Sequence, residues 1–579
     1  MIFNLTIIKK NIGHRNIIWM LLCLFLLGIL PSSAVYQKGK KKKAVDERVY
    51  LIHSDELRFD QYSNNPDAQI VKGNVHFRHR GADLWCDSAY FYQMTNSVRA
   101  FGNVRLKQGD TLSLTCERAF YDGQSMQLEA RSKVNRVKLK HHNRLLTTDS
   151  LNYDRLYNYA YFFEGGELTE GKDRLVADWG KYSLDTKKAE FYYGVKMSSD
   201  GQLIETDTLF YDTRLSKAQV AGPSTITSKG SVIHTANAFF DTKSDLAELY
   251  GRSTVVDKEK TITGDSLFFN DKTGESKGFG NVIYHDKKNQ NSLYCDYLVY
   301  NEKTGNGFAT KRVVAKDYSQ KDTLYVHADT IRINTFHINT DSVSREVHCY
   351  RKVRAFRTDI QAVCDSMVIH SKDSCLTMYQ DPIVWNGTRQ LLGEEIKVYM
   401  ADSTIRHAQV LRQALSVEQL PDSIHFNQIS SENMYAYFTE GVLRRCDAIK
   451  GVKTIYYSAD DKDSTLIGLN YLETDTMRMY LSRERQLEKI WTCRFQSTLY
   501  PMGQIPPGKT MLPTYAWFDY IRPVDKDDIM NWRGKAAGSE LKEIKRTAPP
   551  LKKLSGAASP SIVVTTPQKG DESAQKKKG

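Results

Sequence analysis

The sequence is poor in the features that mark metal proteins and compact helical enzymes. Its 579 residues include only 14 prolines and nine cysteines. No two cysteines form a C-x-x-C pair, which removes support for zinc ribbons and thioredoxin-like redox sites. No glycine-rich phosphate-binding loop precedes a helical pattern, and no stretch of useful length shows sustained helical periodicity. A chain of this length is therefore expected to form several domains or one repeat array.

The body of the chain also lacks net charge, although the whole chain carries +13. The ends carry the excess: +3 before residue 16, +5 in residues 38–43 and +6 from residue 535 onward, which leaves −1 for residues 44–534. A nucleic-acid-binding protein carries its basic patch on the folded body. We therefore expect no nucleic-acid partner, and we interpret the basic ends as solvated tails that could touch anionic membrane surfaces.

Only one long apolar run is present, and it lies near the N-terminus at residues 17–30. Lys9, Lys10 and Arg15 precede this run, and the small residues Ser32 and Ala34 follow it. This order is typical of a secretory signal peptide, so we predict export and cleavage after Ala34. The alternative is a retained membrane anchor, but the run is shorter than the roughly 20 residues that a membrane span needs.

What the sequence does have is an acidic residue that recurs about every 30 residues along most of the chain. It occurs as Asp55, Asp87, Glu117, Asp149, Asp178, Asp207, Asp265, Asp296, Asp329, Asp365, Glu394, Glu432 and Asp475, with Ala236 in its place once. The spacing is 29 residues four times in succession between Asp149 and Asp265. Such a period, in a chain rich in tyrosine and phenylalanine, predicts an elongated all-β repeat array in which neighbouring units share one core.

Each unit has the same internal order. Apolar residues alternate after the acid, as in Leu209 and Tyr211, which puts them on one face of a strand. A turn signal follows, and then a strand that contains Gly-Asn-Val, as at Gly102 and Gly280. The glycine predicts a bend or bulge where the strand turns a corner. We expect the acidic side chain to bond backbone amides at a strand entry.

The segments before and after the array differ from it in composition. We predict a signal peptide at residues 1–34, a basic linker at 35–49, the repeat array at 50–481, a C-terminal cap or docking segment at 482–533, and a disordered basic tail at 534–579. The cap is predicted because residues 482–533 lack the repeat but contain three tryptophans and several prolines.

We predict no catalytic residue, no metal site and no cofactor. Gly264-Asp265-Ser266-Leu267 spells an esterase signature, but it is one copy of the repeat. His76 and His79 lack partners at metal-ligand spacing. Cys86, Cys116, Cys295 and Cys364 precede the acid in their units and are interpreted as small core residues. A disulfide between Cys86 and Cys116 is the open alternative.

The remaining candidate site is the apolar stripe itself. Its best members are Leu151, Tyr153, Leu209, Tyr211, Leu267, Phe269, Leu298 and Tyr300. Such a stripe usually forms a closed core, but two sheets that splay apart would turn it into a groove suited to acyl chains. The residues alone favour the closed core.

The unit resembles the OstA-like repeat of periplasmic lipopolysaccharide-transport proteins of the LptA type and of the N-terminal region of LptD. The resemblance rests on the small residue, Asp, apolar residue and Tyr, followed by Gly-Asn-Val, and it extends over roughly residues 50 to 530. The chain resembles in particular the long OstA-like form of Bacteroidetes, including Pro501, Pro506, Pro507, Trp517 and Pro523. The resemblance implies a V-shaped β-jellyroll of stacked antiparallel sheets.

The resemblance also implies a function. The interior of the jellyroll would hold the acyl chains of lipid A, and the protein would be a periplasmic carrier or bridge that moves lipopolysaccharide to the outer membrane. Its open ends would dock edge to edge with an inner-membrane LptC-type partner and an outer-membrane LptD-type partner. The alternative is an exported structural or adhesive β-repeat scaffold with a closed core and no lipid ligand. A β-helical polysaccharide-processing enzyme is disfavoured, since it would need clustered carboxylates.

Overall fold

The computed structural model describes residues 48–535 apart from short gaps. The gaps are residues 63, 111, 142–143, 184–185, 187, 200–201, 213, 216, 229, 242–243, 402–403, 461–464 and 485. The predicted signal peptide, residues 35–47 of the predicted linker and residues 536–579 of the predicted tail therefore lie outside the described residues. Within the described part, no helix is long and apolar enough to cross a membrane.

The described residues form one antiparallel sheet of 36 strands, with three single-turn 3-10 helices and no α-helix. The all-β repeat array predicted from the sequence is thereby confirmed.

The first fourteen strands are β1 (Tyr50–His53), β2 (Glu56–Phe59), β3 (Gln69–His79), β4 (Ala82–Tyr92), β5 (Ser97–Gln108), β6 (Leu112–Asp122), β7 (Gln127–Arg131), β8 (Val137–His141), β9 (Arg144–Thr148), β10 (Ser150–Asp154), β11 (Tyr159–Phe162), β12 (Gly166–Glu170), β13 (Asp173–Ala177) and β14 (Trp179–Ser183). The next twelve are β15 (Lys188–Ser199), β16 (Gln202–Asp212), β17 (Lys217–Ser228), β18 (Ser231–Asp241), β19 (Leu246–Asp257), β20 (Lys260–Asn270), β21 (Glu275–Asp286), β22 (Asn291–Asn301), β23 (Asn306–Asp317), β24 (Leu324–Phe336), β25 (Ser344–Arg357) and β26 (Ile360–His370). The last ten are β27 (Cys375–Tyr379), β28 (Ile383–Asn386), β29 (Arg389–Leu392), β30 (Glu395–Ala401), β31 (Thr404–Gln419), β32 (Phe426–Thr439), β33 (Val442–Ala459), β34 (Leu466–Leu481), β35 (Leu487–Cys493) and β36 (Gln496–Pro501). The 3-10 helices are Met502–Gln504, Asp519–Ile521 and Asp528–Met530.

One repeat unit makes two neighbouring rungs of the sheet. A rung is one long strand, such as β5 or β6, or two short strands that together pair with one long strand. For example, β7 and β8 pair with the two halves of β6. In the centre of the array, β16 with 11 residues and β17 with 12 residues account for most of one 29-residue period.

Each rung bends near its middle, where the ladder shifts register. In β5 the shift lies at Gly102 and Asn103, opposite Asp87 of β4. Both residues have positive φ, +73° for Gly102 and +44° for Asn103. A Cβ on Gly102 would lie 2.4 Å from the Asp87 carboxylate, so the site needs glycine both for its dihedral angle and for space. The bend predicted at the Gly-Asn-Val sequence is confirmed.

The recurrent acid lies at this bend. Its predicted position at a strand entry is confirmed where the rung consists of two short strands, as at Asp149 before β10 and Asp178 before β14. It is wrong where one long strand runs through the bend. Asp87 lies in the middle of β4, and its carboxylate accepts a 2.8 Å hydrogen bond from the Asn103 side chain. Asp265 accepts the equivalent bond from Asn281 at 3.1 Å. Backbone amides are the partners of Glu117, which accepts from residues 133–135. The acid therefore ties the bends of successive rungs together.

The unit that lacks the acid has a substitute contact. Gly251 faces the Cβ of Ala236, and the next residue of the bend is Arg252. Arg252 donates to Asp265 of the following unit at 3.1 Å and to the Asn281 carbonyl oxygen at 2.7 Å. In the unit that lacks the acid, Arg252 thus pairs with the acid of the following unit instead.

The bend sets which side chains face the interior. Along β4 the buried residues are Leu84 and Cys86 before Asp87, and Ala89 and Phe91 after it. The step from 86 to 89 breaks the period of two, so the two arms of the strand direct their apolar side chains toward each other. One hydrophobic cluster built this way continues from Val49 to Met477.

The region after the repeats has two parts. β35 and β36 pair with β34 and form the last rung. Residues 502–535, which we call the strap, contain no strand and pack against strands β24 to β34. The predicted segment 482–533 therefore divides in two. Its first part completes the sheet, and its second part packs against the sheet.

The bend yields a stability prediction. Gly102→Ala is expected to cost about 2–5 kcal/mol, since an L-residue at positive φ costs about 1–2 kcal/mol and the clash with Asp87 adds about 1–3 kcal/mol. Gly109→Ala is the matched control, because Gly109 also has positive φ but has no atom near the added Cβ. Urea unfolding, with hydrogen exchange on β4 and β5, would measure both. Equal losses for the two variants would contradict the role of the carboxylate contact.

Candidate functional site

The four leucines of the predicted stripe occupy one equivalent position, two residues after the acid. Leu151, Leu209, Leu267 and Leu298 are 1%, 1%, 0% and 3% exposed. Small or compact residues lie beside them on neighbouring strands, such as Ala130 beside Leu151 and Gly278 between Leu267 and Leu298. Each leucine thus fills the space just inside the bend, where the two arms are closest.

The four aromatic members occupy the position four residues after the acid, nearer the end of the strand. Tyr211 and Tyr300 are buried, whereas Tyr153 and Phe269 are half-buried and pack against the same cluster. At least one small residue lies beside each ring, and Tyr211 lies between Ala189 and Ala218. Burial raises the pKa of Tyr300 to about 12, which keeps its hydroxyl protonated.

The structure therefore brings all eight candidates onto one interior face. They lie in a single apolar cluster together with valines, alanines and cysteines of every unit. The interior is closed around them, because most of these side chains have almost no exposed surface. Their contact with a lipid stays a prediction, and it requires the two arms to separate.

Polar contacts join the two arms at the strand ends. At the first units, the His79 imidazole lies 2.6 Å from the Tyr121 hydroxyl, and Arg155 donates to that hydroxyl at 3.0 Å. Arg155 also donates to the Arg80 carbonyl oxygen at 3.3 Å. Burial raises the pKa of Tyr121, and the Arg155 charge opposes that rise. We call this line of contacts, where opposite hairpin ends meet, the seam.

Buried polar groups also lie at the strand ends in the centre of the array. Asp257 and Asp286 are buried, and they accept hydrogen bonds from Ser231 and Asn289 at 3.0 and 2.8 Å. Burial lowers the pKa of Lys260, while the two carboxylates raise it and the Arg345 charge lowers it. Lys260 begins β20 and Arg345 lies near the start of β25, so the Arg345 charge acts here between the ends of distant rungs.

The sequence did not reveal the seam. The sequence suggests a role for His79 only as a metal ligand together with His76. Instead, His76 stacks on Trp85 at 4.8 Å and bonds Asp83 at 2.8 Å. Burial raises the pKa of Asp83, but hydrogen bonds from Arg78 and His76 bring it below its ordinary value. Groups of three or more potential metal ligands do not occur among the residues that the structure describes.

The residues of the esterase-like sequence and the cysteines have structural roles at the bend and in the core. Asp265 bonds Asn281 and Arg252 at the bend, and Leu267 next to Ser266 lies in the core. The cysteines that precede the acid are buried free thiols, as their interpretation as small core residues requires. Burial raises the pKa of Cys86 and Cys116 to about 12, so both stay protonated.

The interior is uncovered at the two ends of the described sheet. Leu57 and Phe59 of β2 occupy the same positions as the buried leucine and aromatic residue of later units, yet they are 55% and 62% exposed. Ile490 of β35 and Leu499 of β36 are 50% and 64% exposed on the last rung. No further rung packs on either edge in the described part of the chain, so each presents unpaired backbone groups beside apolar side chains.

Comparison with known proteins bears on this architecture. A search of curated proteins gave no significant match. A family model described as OstA-like protein matches residues 46–207, which include β1 to β15 and most of β16. The match includes the bends at Gly73 and Gly102, the seam and the candidates Leu151 and Tyr153. The predicted resemblance to the OstA-like family is confirmed over residues 46–207.

Proposed function

We propose that the protein is a periplasmic carrier or bridge for lipopolysaccharide and that its apolar interior receives lipid A acyl chains. The observation that carries this proposal is the interior cluster, which continues through successive rungs, is held at the strand ends by polar contacts and is uncovered at both ends. The OstA-like match supports the same function for the first third of the array.

The free energies of the seam contacts and of acyl-chain burial are compatible with separation of the two arms to admit a lipid. A seam contact contributes about 1 kcal/mol, so separating a few hairpin ends costs only a few kcal/mol beyond the loss of packing between the arms. Burying an acyl chain of about twelve carbons returns on the order of 10 kcal/mol at about 0.8 kcal/mol per CH₂. Such a chain, about 15 Å long, would pass three rungs at a spacing of about 4.8 Å. The hydrocarbon therefore replaces the packing that the arms lose.

The ends of the sheet fit partners of the same architecture. The first rung, β1 with β2, carries an acid at its bend, Asp55, whereas the last rung, β35 with β36, carries the positive-φ residue Arg494 there. Acid-bearing and positive-φ rungs alternate along the array, so either end can continue the alternation with another chain. We propose an LptC-type partner at one end and an LptD-type partner at the other, paired through their open edges.

The second candidate function is an exported scaffold without a lipid ligand. It is favoured by one observation, the near-complete burial of Leu151, Leu209 and Leu267. The two functions differ in whether the interior ever contacts lipid, so a contact experiment separates them.

Photo-crosslinking gives that contact experiment. A photoreactive residue at Leu209 or Leu267 is expected to capture lipopolysaccharide in cells, because both side chains face the interior. Phe210 and Phe268 are matched controls, since each is the next residue on the same strand and faces outward. Capture at the controls alone, or at no position, would support the scaffold and reject the carrier.

The seam gives a second prediction. Arg155→Ala removes the bonds to Tyr121 and Arg80 and is expected to destabilise the first units by about 1–3 kcal/mol. Hydrogen exchange of β3 to β7 should become faster, and crosslinking of lipopolysaccharide from an interior residue at Leu128 should increase. Arg99→Ala, which removes only an outward contact with Tyr92 and Phe120, should change neither. Unchanged crosslinking in a loosened seam would argue against entry of lipid between the hairpin ends.

A further inference from the structure

The face of the sheet that the strap covers is the outer face of the array. On β26, Ala362 packs against the interior cluster, so its neighbour Gln361 points to the opposite side. The same alternation separates Leu391 from Gln390 on β29, and Ile429 from Gln428 on β32. The strap is therefore not part of the interior described above. It covers a second, separate surface.

Two glutamines on this face hold the backbone of the strap by the same geometry. Gln428 donates to the Thr510 carbonyl oxygen at 3.0 Å and accepts from the Leu512 amide at 2.8 Å. Gln390 donates to the Ala516 carbonyl oxygen at 2.8 Å and accepts from the Phe518 amide at 2.7 Å. Each side-chain amide thus pairs with residues i and i+2 of the strap, as a neighbouring strand would. Both glutamines are fully buried.

We call these two glutamine contacts the clamps. Buried apolar side chains anchor the strap at the clamps and beyond them. Leu512, Phe518, Ile521 and Ile529 of the strap are 3%, 2%, 3% and 1% exposed. On the sheet side, Phe426 packs against Tyr515 and Trp517 with ring centroids 5.5 and 5.3 Å apart. The combination of backbone clamps and hydrophobic pockets is how proteins recognise extended peptides.

The far half of the strap is held by charged and aromatic side chains. Arg522 donates to Gln361 at 2.8 Å and to the Gly387 carbonyl oxygen at 3.0 Å. The Arg354 guanidinium lies 5.6 Å from the Trp532 ring. Arg354 is buried, and its burial lowers its pKa to about 10. The covered face therefore contains amides whose hydrogen bonds the strap completes and a cation that a ring of the strap contacts, unlike the apolar interior.

The connection to the rest of the chain favours exchange. The first residues of the strap connect it to β36, and among residues 503–508, Gly503, Gln504, Pro507 and Gly508 are exposed. A Cβ added to Gly503 or Gly508 would meet no neighbouring atom. In the described part, the strap shares no strand ladder with the sheet. An element held by side chains and joined by an exposed connection is the kind that two copies of a protein exchange.

We propose that the outer face of β24 to β34 is a peptide-binding groove, that the strap is its resident ligand in cis, and that the strap of a second copy can take its place. The recognised peptide is extended, carries apolar anchors at positions equivalent to Leu512 and Phe518, and offers free backbone amides at both. The proposal does not depend on whether the interior carries lipid.

Strap exchange can be measured with the full-length chain. A specific protease site is inserted between Gly503 and Gln504, and light and isotopically heavy preparations are cleaved and mixed. Native mass spectrometry is expected to find mixed pairs of body and strap, approaching half of all complexes at equal concentrations. Cleaved complexes that stay unmixed for days while the protein is folded would overturn the proposal.

A synthetic peptide of residues 505–535 tests the clamps without changing the protein. The labelled peptide should enter the cleaved protein, as measured by fluorescence anisotropy. N-methylation of the Leu512 and Phe518 amides removes the two donors and is expected to weaken binding about ten- to hundredfold. N-methylation at Met511 is the matched control. Equal binding of the two methylated peptides would overturn the assignment of the clamps.

The protein side has its own variants. Gln390→Ala with Gln428→Ala should release the cleaved strap at least about tenfold faster. Gln409→Ala, on the other arm of β31, should release it at the rate of the unaltered protein. If the double variant proves unstable, the methylated peptides decide alone. A double variant that folds and retains its strap normally would contradict the groove.

Discussion

The bend of each rung is the constraint on which the rest of the structure depends. In several bends a glycine at positive φ lies directly over a carboxylate of the neighbouring strand, as Gly102 lies over Asp87 and Gly280 over Asp265. Any side chain at the glycine would meet both a dihedral penalty and a clash. Because the contact joins successive rungs, the bends stay aligned, and each long strand is divided into two arms at the same level. The two arms then have only one way to bury their apolar residues, which is against each other.

This geometry explains the composition of the interior. Near the bend the arms are close, so leucine alternates with alanine and glycine across neighbouring strands, as at Leu298, Gly278 and Ala309. Farther out, aromatic rings such as Tyr211 fit between alanines. At the strand ends the apolar pattern stops, and polar groups such as Tyr121 and Arg155 make the contact between hairpin ends. The strongest burial therefore lies at the bends and the weakest closure lies at the seam, which makes the strand ends the easier place to open.

The sequence was informative where the contacts are local or periodic. The acid, the two following apolar positions and the Gly-Asn bend recur with a fixed spacing, so the strands, the bends and the common face of Leu151 to Tyr300 could be predicted. The position of the acid within a strand could not, since a strand entry and a mid-strand bulge leave the same pattern. Nor could the seam or the glutamine clamps, because Arg155 meets Arg80 and Gln390 meets Phe518 across 75 and 128 residues. In the sequence, a single glutamine in a strand of alternating apolar and polar residues cannot be distinguished from a residue that faces solvent.

The two surfaces of the later rungs differ in a way that bears on their use. The interior is lined by side chains that need no specific partner, so the proposed acyl chains would replace their packing without a specific contact. The covered outer face contains Gln361, Gln390 and Gln428, which need donors and acceptors at fixed positions. Removing such a partner without a substitute costs more than removing an apolar one, unless water enters. In the proposed functions, one array thus combines an interior that is tolerant of its contents with an outer face that is selective for a peptide backbone, and the same bent rungs supply both.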